Sequence, residues 1–393
     1  MEIREEKIKQ IESILREYNV DMWMVYIRET DLIRDPVLNY IYRGQVVWES
    51  AFIFTKKGNK YAIVGSLDKE EVEKSKIFEK VYIYINSFKN EFEKVLNEIK
   101  PKKIALNFSI DSPQSNGITH GLFLKLQKYL KELNWKGEII SAEKIINSFR
   151  SRKTKAEIKR IKKATDFTLE LFDELREIIK PGITETEIAS YLKKRTQEKG
   201  LEFAWEPQTC PSVFAGPQEV GAHSAPTKRK VKKGFLINID FGVKFKGYVS
   251  DLQRTWYILK EGEEKAPEEV LKAFNTIKKA IEKTAEFLKP GITGAEVDKV
   301  CRDFIMSYGY DEYPHATGHQ VGRNAHDGGS LLAPCWERYG NLPYLPIEEG
   351  MVFTIEPRIN LKNYGIMSIE EIVHVKEKAI FLSKPQEELF LIK

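Results

Sequence analysis

The sequence predicts an α/β domain followed by an α+β domain that carries an internal duplication. Three observations lead there. The chain of 393 residues is long for a single core, at roughly 100–200 residues per domain. Helical and strand patterns alternate to about residue 150, where the polar, basic stretch 147–160 (NSFRSRKTKAEIKR) interrupts them. Beyond it, Lys180–Ile188 (KPGITETEI) returns as Lys289–Val297 (KPGITGAEV). We therefore expect domains over 1–150 and 151–393.

In the first domain, residues 2–18 alternate charged and aliphatic side chains at helical spacing. Met22–Ile27 (MWMVYI) is a short apolar run, expected as a strand. Ser50–Thr55 and Tyr61–Val64 flank Lys57-Gly58-Asn59, a hairpin signal. Val81–Ile85 and Ile104–Asn107 are further strands, separated by the helical pattern Glu91–Lys100. This region has no phosphate-binding glycine loop and no catalytic cluster, and its one histidine is His120.

In the second domain each copy of the repeat joins two helices. Pro-Gly ends one, Thr caps the next, and Glu three residues later completes a capping box. Five identical residues in register favour duplication over coincidence, and two similar halves packed together tend to place a site between them.

Composition excludes several classes. With 63 basic and 58 acidic residues the net charge is +5, too small a balance to point to nucleic acid. The basic run Lys228–Lys233 lacks aromatic interleaving and reads as a solvated loop. No window approaches the ~18 apolar residues of a membrane span, and the N-terminal segment has no apolar signal core. Cys210, Cys301 and Cys335 stand singly, without zinc-ligand or disulfide spacing. A cytoplasmic protein without nucleic-acid or membrane partners is expected.

The chemistry concentrates after residue 220. In Gly234–Tyr257 an apolar strand reaches Asp240, and a returning strand contains Asp251. With Phe245-Lys246 at the tip, the two aspartates face each other across the hairpin. Facing like charges destabilise a sheet, so such a pair needs a cation, a shared proton or full solvation. Met351–Pro357 and Ser368–Val375 repeat the device: a turn centred on Asn363 sets Glu356 opposite Glu370. Five of the six histidines lie in this half. His315-Ala-Thr-Gly-His319 supplies two of them with a glycine spacer, and His374 reads as an ordinary surface or core residue. Four carboxylates and His319 make a hard ligand set suited to Mn²⁺, Co²⁺, Fe²⁺ or Zn²⁺ in a two-metal site. Two such ions, ~3.5–4 Å apart with a hydroxide between them, hydrolyse amides. No Ser-His-Asp or Cys-His arrangement competes.

The segments Asp240-Phe-Gly, Asp251-Leu-Gln-Arg-Thr255, His315-Ala-Thr-Gly-His319, Thr354-Ile-Glu356-Pro and Ile369-Glu370-Glu371 resemble the signature of the pita-bread metallopeptidases. That family includes Xaa-Pro dipeptidase, Xaa-Pro aminopeptidase and methionine aminopeptidase. The resemblance covers about residues 155–393, and the first domain resembles the creatinase-type N-terminal domain. It implies a pita-bread fold with a pseudo-two-fold repeat and two divalent metal ions (Mn, Co, Fe or Zn). Asp240 would bind one metal, Asp251 and Glu370 would bridge both, and His319 and Glu356 would bind the other. Glu356 is implied as proton shuttle. His223, His315 and His326 are implied as substrate-binding residues, with His223 and His326 steadying the tetrahedral intermediate. Three features depart from the pattern. The His-Glu-x-Pro that the family often shows after the metal histidine is replaced by His326-Asp-Gly-Gly. The arginine that prolidases place shortly after the metal histidine is missing from His326-Asp-Gly-Gly-Ser330, leaving Arg338 and Arg358 as substitutes. Arg358 also stands where glycine is usual after Glu-Pro.

The expected protein is thus a metallo-exopeptidase that cleaves Xaa-Pro bonds of dipeptides or short peptides, acting as a homodimer on peptide substrates. Two alternatives share the residues: a dinuclear hydrolase or lyase with a non-prolyl substrate, and a non-catalytic peptide-binding module of the same fold.

Overall fold

A computed structural model describes residues 3–218 and 224–393. It divides into two compact units, Met1–Arg150 and Ser151–Lys393.

The first unit is built on strands β1 (Met22–Ile27), β2 (Ser50–Thr55), β3 (Lys60–Gly65), β4 (Lys80–Tyr84), β5 (Lys103–Leu106) and β6 (Glu138–Ser141). They form one mixed sheet in the order β4-β3-β2-β1-β5-β6. Its helices are α1 (Ile3–Glu17), α2 (Leu38–Ile41), α3 (Lys69–Lys74), α4 (Phe88–Ile99), α5 (His120–Glu132) and α6 (Glu143–Ser151). The period-2 geometry of a strand explains why Met22–Ile27 is apolar throughout. Trp23, Val25 and Ile27 enter a core with side chains of α1, α2 and α6. Met22, Met24 and Tyr26 enter a second core with α4 and α5. A strand covered on both faces cannot alternate with polar residues.

The second unit holds α7 (Lys155–Glu174), α8 (Glu185–Glu198), α9 (Glu268–Phe287) and α10 (Gly294–Ser307). Its strands are β7 (Glu202–Phe203), β8 (Ser212–Ala215), β9 (Leu236–Phe241), β10 (Val243–Phe245), β11 (Tyr248–Val249), β12 (Leu252–Ile258), β13 (Val352–Ile355), β14 (Arg358–Leu361), β15 (Gly365–Ser368), β16 (Glu371–Val375), β17 (Ala379–Phe381) and β18 (Phe390–Ile392). The sheets run β18-β12-β9-β8, β13-β16-β17, β11-β10-β7 and β14-β15.

The duplication in sequence is a duplication in structure. Thr184 and Thr293 cap α8 and α10, each in a full capping box with Glu187 and Glu296. Gly182 and Gly291 take φ of +94° and +93°, and their amides donate to Val231 and Ile347 at 2.9 Å. Gly234 and Gly350, again with positive φ, introduce β9 and β13. Asp240 and Glu356 each follow their glycine by six residues, so the two halves deliver one carboxylate each from equivalent positions.

The second hairpin has the expected register. Ile355 pairs with Glu371 and Arg358 with Ser368, which sets Glu356 across from Glu370. The ladder breaks between these pairs. The Glu356 amide donates to Thr317 O at 2.7 Å and the Glu370 amide to Gln253 O at 3.2 Å. The first hairpin corrects the expected register. Asp240 pairs with Gln253, not Asp251, and Phe245 pairs with Tyr248. The turn is Lys246-Gly247, at φ of +48° and +80°, a two-residue turn of the kind that fits strand twist. Asp251 is therefore a diagonal neighbour of Asp240. The slip preserves side-chain parity, so both still share a face.

Candidate metal centre

His319 comes from the irregular segment 317–321, which lies along β13. The Thr354 amide donates to His319 O at 2.8 Å, the His319 amide to Thr354 Oγ1 at 3.2 Å, and the Val321 amide to Val352 O at 3.1 Å. Gly318 makes the approach possible: a Cβ there would sit 2.0 Å from Thr354 O. Upstream, the buried Asp298–Arg302 pair on α10 organises the chain. Asp298 accepts from Thr317 Oγ1 at 2.7 Å, and Arg302 donates to Tyr313 O at 2.7 Å and His315 O at 2.8 Å.

These anchors bring the predicted carboxylates around one imidazole. His319 Nε2 lies 3.3 Å from Glu356 Oε1, 3.8 Å from Asp251 Oδ2 and 4.0 Å from Glu370 Oε1. Ligand atoms of Asp251, His319 and Glu370 fall within 4.8 Å of one another. Asp240 lines the same cavity. Ligands of a single ion, at bonds of about 2.0–2.2 Å, stand roughly this far apart.

The electrostatics call for a cation. Burial pushes the Asp240 and Glu370 carboxyls well above the usual range, and the Asp251 charge adds to it. Burial, with Glu356 alongside, lifts Asp251 to about 7 despite the pull of His319. At His319 burial opposes the charge, but the Glu356 hydrogen bond and charge raise the imidazole to about 9. At Glu356 burial again opposes the charge, but that bond together with the charges of His319, His315 and His326 holds the carboxyl below its ordinary value. Asp240 Oδ1 and Glu370 Oε1 are buried without a hydrogen-bond partner. Such atoms are costly, and an oxygen-binding divalent ion satisfies them, so the residues fit the metal that the ligand pattern implies.

The cavity above the cluster measures about 530 Å³. His315 and His326 line it, as does Arg358, whereas Arg338 does not. Arg338 donates to Pro314 O and stacks over Trp336. His326 sets its ring against His319, centroids 4.3 Å apart at 80°. Burial pushes the His315 imidazole down. His374 pairs with Val352 and Ile380 in the ladder, away from the cavity lining. His223 lies outside the described residues.

Five side chains that received no role from the sequence also contribute. Gln253 donates from Nε2 to Glu356 Oε2 at 3.3 Å, and only the corrected register places it opposite Asp240. The buried Arg254 donates to Gln253 O at 2.9 Å and Glu370 O at 3.0 Å, and pairs with both oxygens of Glu371 at 3.1 Å. Its place three residues after Asp251, next to a second strand bearing Glu-Glu, was the available signal. Trp205, Phe214 and Tyr339 supply apolar wall and carry no motif.

A fold of two such halves around a buried carboxylate–histidine cluster defines a metal-dependent hydrolase. Residues 159–377 match the model of metallopeptidase family M24, and the chain belongs to that family: it is a metallopeptidase. It is 33% identical over 276 residues to a putative Xaa-Pro aminopeptidase of Mycoplasma genitalium, covering 69% of this chain and 74% of that protein. It is 27% identical over 393 residues to the Xaa-Pro dipeptidase of Pyrococcus horikoshii, 99% of this chain and 100% of that one. In structure it resembles an Xaa-Pro dipeptidase from Bacillus anthracis, with a TM-score of 0.72 at 22% identity over 99% of this chain and 100% of that chain. That likeness shows the pita-bread fold. No helix among the described residues is long and apolar enough to cross a membrane.

Proposed function

We propose that this metallopeptidase is an exopeptidase that hydrolyses the Xaa-Pro bond of dipeptides or short peptides with two divalent ions. The ions would be held by Asp240, Asp251, His319, Glu356 and Glu370. The observation that carries the reading is the pair of partnerless buried oxygens, Asp240 Oδ1 and Glu370 Oε1, at the floor of a cavity sized for a small peptide. The names of the relatives supply the prolyl preference.

Bound in this cluster, the ions would polarise the scissile carbonyl and acidify an attacking water. The remaining work falls to side chains. Glu356 accepts the proton of the attacking water and delivers it to the leaving prolyl nitrogen. His326, against His319 on the cavity wall, donates to the oxyanion, and His223 shares that role. His315 lines the substrate path. Arg358 is the cationic side chain of the lining and faces the substrate carboxylate. Trp205, Phe214 and Tyr339 offer apolar surface to the proline ring.

We read 1–150 as a creatinase-type N-terminal domain and 151–393 as the catalytic domain. The protein is proposed as a cytoplasmic homodimer. Three free cysteines support a reducing compartment.

EDTA should abolish hydrolysis of Ala-Pro, and Mn²⁺ or Co²⁺ should restore it. Asp251→Asn should lose most turnover. Rates on Ala-Pro, Ala-Ala and a longer Ala-Pro peptide test the specificity. Metal-independent cleavage, a near-normal rate in Asp251→Asn, or equal rates on Ala-Ala and Ala-Pro would overturn the reading.

A further inference from the structure

Gln253 is the neutral polar side chain that reaches into the acidic cluster from directly across the sheet. Its residue pairs with Asp240, and cross-strand partners share a face with Cβ atoms ~4.5–5.5 Å apart. An amide facing a buried carboxylate would ordinarily donate to it. Here Asp240 Oδ1 is left without a partner, and Gln253 Nε2 instead donates to Glu356 Oε2 at 3.3 Å. The backbone of the same residue accepts the Glu370 amide at 3.2 Å, and Arg254 braces that carbonyl at 2.9 Å. One residue thus contacts the carriers of two candidate ligands from opposite halves of the hairpin interruption, and stands across from a third. The amide must present its NH₂ to Glu356, because its carbonyl would meet a carboxylate that only accepts.

Glu356 has two oxygens with different surroundings. Oε2 takes the Gln253 hydrogen bond, and Oε1 lies 3.3 Å from His319 Nε2. An unheld glutamate would be free to turn about its terminal torsion, which is broad. It would then present either oxygen to His319.

We infer that Gln253 is a positioning residue of the metal centre: its amide pins Glu356 Oε2 so that Oε1 is aimed at the cation, and its cross-strand Asp240 is left free to bind. The inference rests on the proposed reading of Glu356 and Asp240 as ligands. Gln253 acts through Glu356, not on the substrate.

The test compares Gln253→Met, which keeps the length and loses the donor, with wild type in the metal-stripped full-length protein. Mn²⁺ affinity is read from the electron paramagnetic resonance signal of free Mn²⁺, and kcat and KM for Ala-Pro are measured separately. Loss of a partner that orients a metal ligand typically costs about 10–100-fold in metal affinity, and kcat should fall with it while KM stays within about twofold. In a Glu356→Gln background, adding Gln253→Met should change Mn²⁺ affinity by less than about threefold, because the partner it acts through is already altered. Thermal melts by circular dichroism accompany each variant. If the methionine variant does not fold, Gln253→Asn, which withdraws the amide by one methylene, carries the same comparison. Wild-type Mn²⁺ affinity and turnover in the variant would overturn the inference, and so would a raised KM with unchanged metal affinity. Absence of Mn²⁺ binding by the wild-type protein would instead defeat the ligand assignment itself.

Discussion

The five residues expected to hold metal were legible because chemistry restricts them. A half-buried carboxylate with one oxygen fully buried, flanked by Ile239 and Phe241, has few uses besides charge compensation. What the residues could not disclose was their protonation without metal. Asp251 has a folded-state pKa of about 7 against an ordinary 3.8, and His319 about 9 against 6.5. Both groups bind more protons in the folded, metal-free protein than in the unfolded chain. Stability then falls as pH rises, through the window 3.8 to 7 for Asp251 and 6.5 to 9 for His319. Metal-stripped protein should therefore melt higher at about pH 5 than at about pH 8, each kcal/mol of difference moving the midpoint by about 2–4 °C. Added Mn²⁺ should raise the midpoint more at the higher pH, where it displaces fewer protons. Calorimetry of the stripped and loaded forms at the two pH values checks both statements, and a stripped protein steadier at the higher pH would contradict them.

Elements carry these residues into register, and here the sequence was readable in part. The Thr-Glu capping boxes and the Glu356–Glu370 register follow from local chemistry: a cap is satisfied within four residues, and the second hairpin turns where Asn363 and Gly365 permit. The first hairpin was misjudged because the turn falls on Lys246-Gly247 with lysine in the left-handed region, a conformation that glycine announces and lysine does not. The approach of segment 317–321 to β13 was invisible, since it is long-range. Its signature is Gly318. Gly318→Ala would drive a methyl against Thr354 O, 2.0 Å away, and force His319 from the cluster. Overpacking of this kind costs about 1–3 kcal/mol. Denaturant melts should show that loss, and Mn²⁺ titration should show weakened binding. The clamp of Arg254 on Glu371 ties β12 to β16, and Glu371 also accepts from Ser383 at 2.5 Å and the Gln386 amide at 3.0 Å. Removing one member of a buried pair leaves the other charged and unpaired, at about 3–5 kcal/mol. Arg254→Met should therefore destabilise the protein far more than loss of an exposed pair such as Lys74–Glu70, where Lys74→Met should cost under about 1 kcal/mol. Equal midpoints for the two variants would refute the distinction.

At the scale of the whole molecule, strand order in the first unit could not be read, because strands buried on both faces lack the alternation that distinguishes neighbours. The structure adds a pattern that composition hides. Leu32 and Ile33 follow β1, Val47 and Trp48 precede β2, Leu67 follows β3, Ile85 follows β4 and Ile110 follows β5, and all seven side chains are exposed. Strand β2 runs antiparallel to β1 and β3, β4 is parallel to β3, and β5 is parallel to β1. All seven positions therefore lie along one end of the sheet. Hydrogen bonds bind the loops there, as from the Thr30 amide to Val46 O at 3.0 Å. Scattered apolar residues on a surface need no explanation; for this row we predict a role in the proposed homodimer. A second copy is the occupant that agrees with the expected homodimer, and the prediction is direct. Light scattering after size exclusion should give twice the 45.6 kDa chain mass, and Leu67→Glu with Trp48→Lys should shift the protein towards monomer while leaving Mn²⁺ binding in place. A dimer indifferent to both substitutions would move the interface elsewhere. A wild-type monomer would mean that the row serves a different partner.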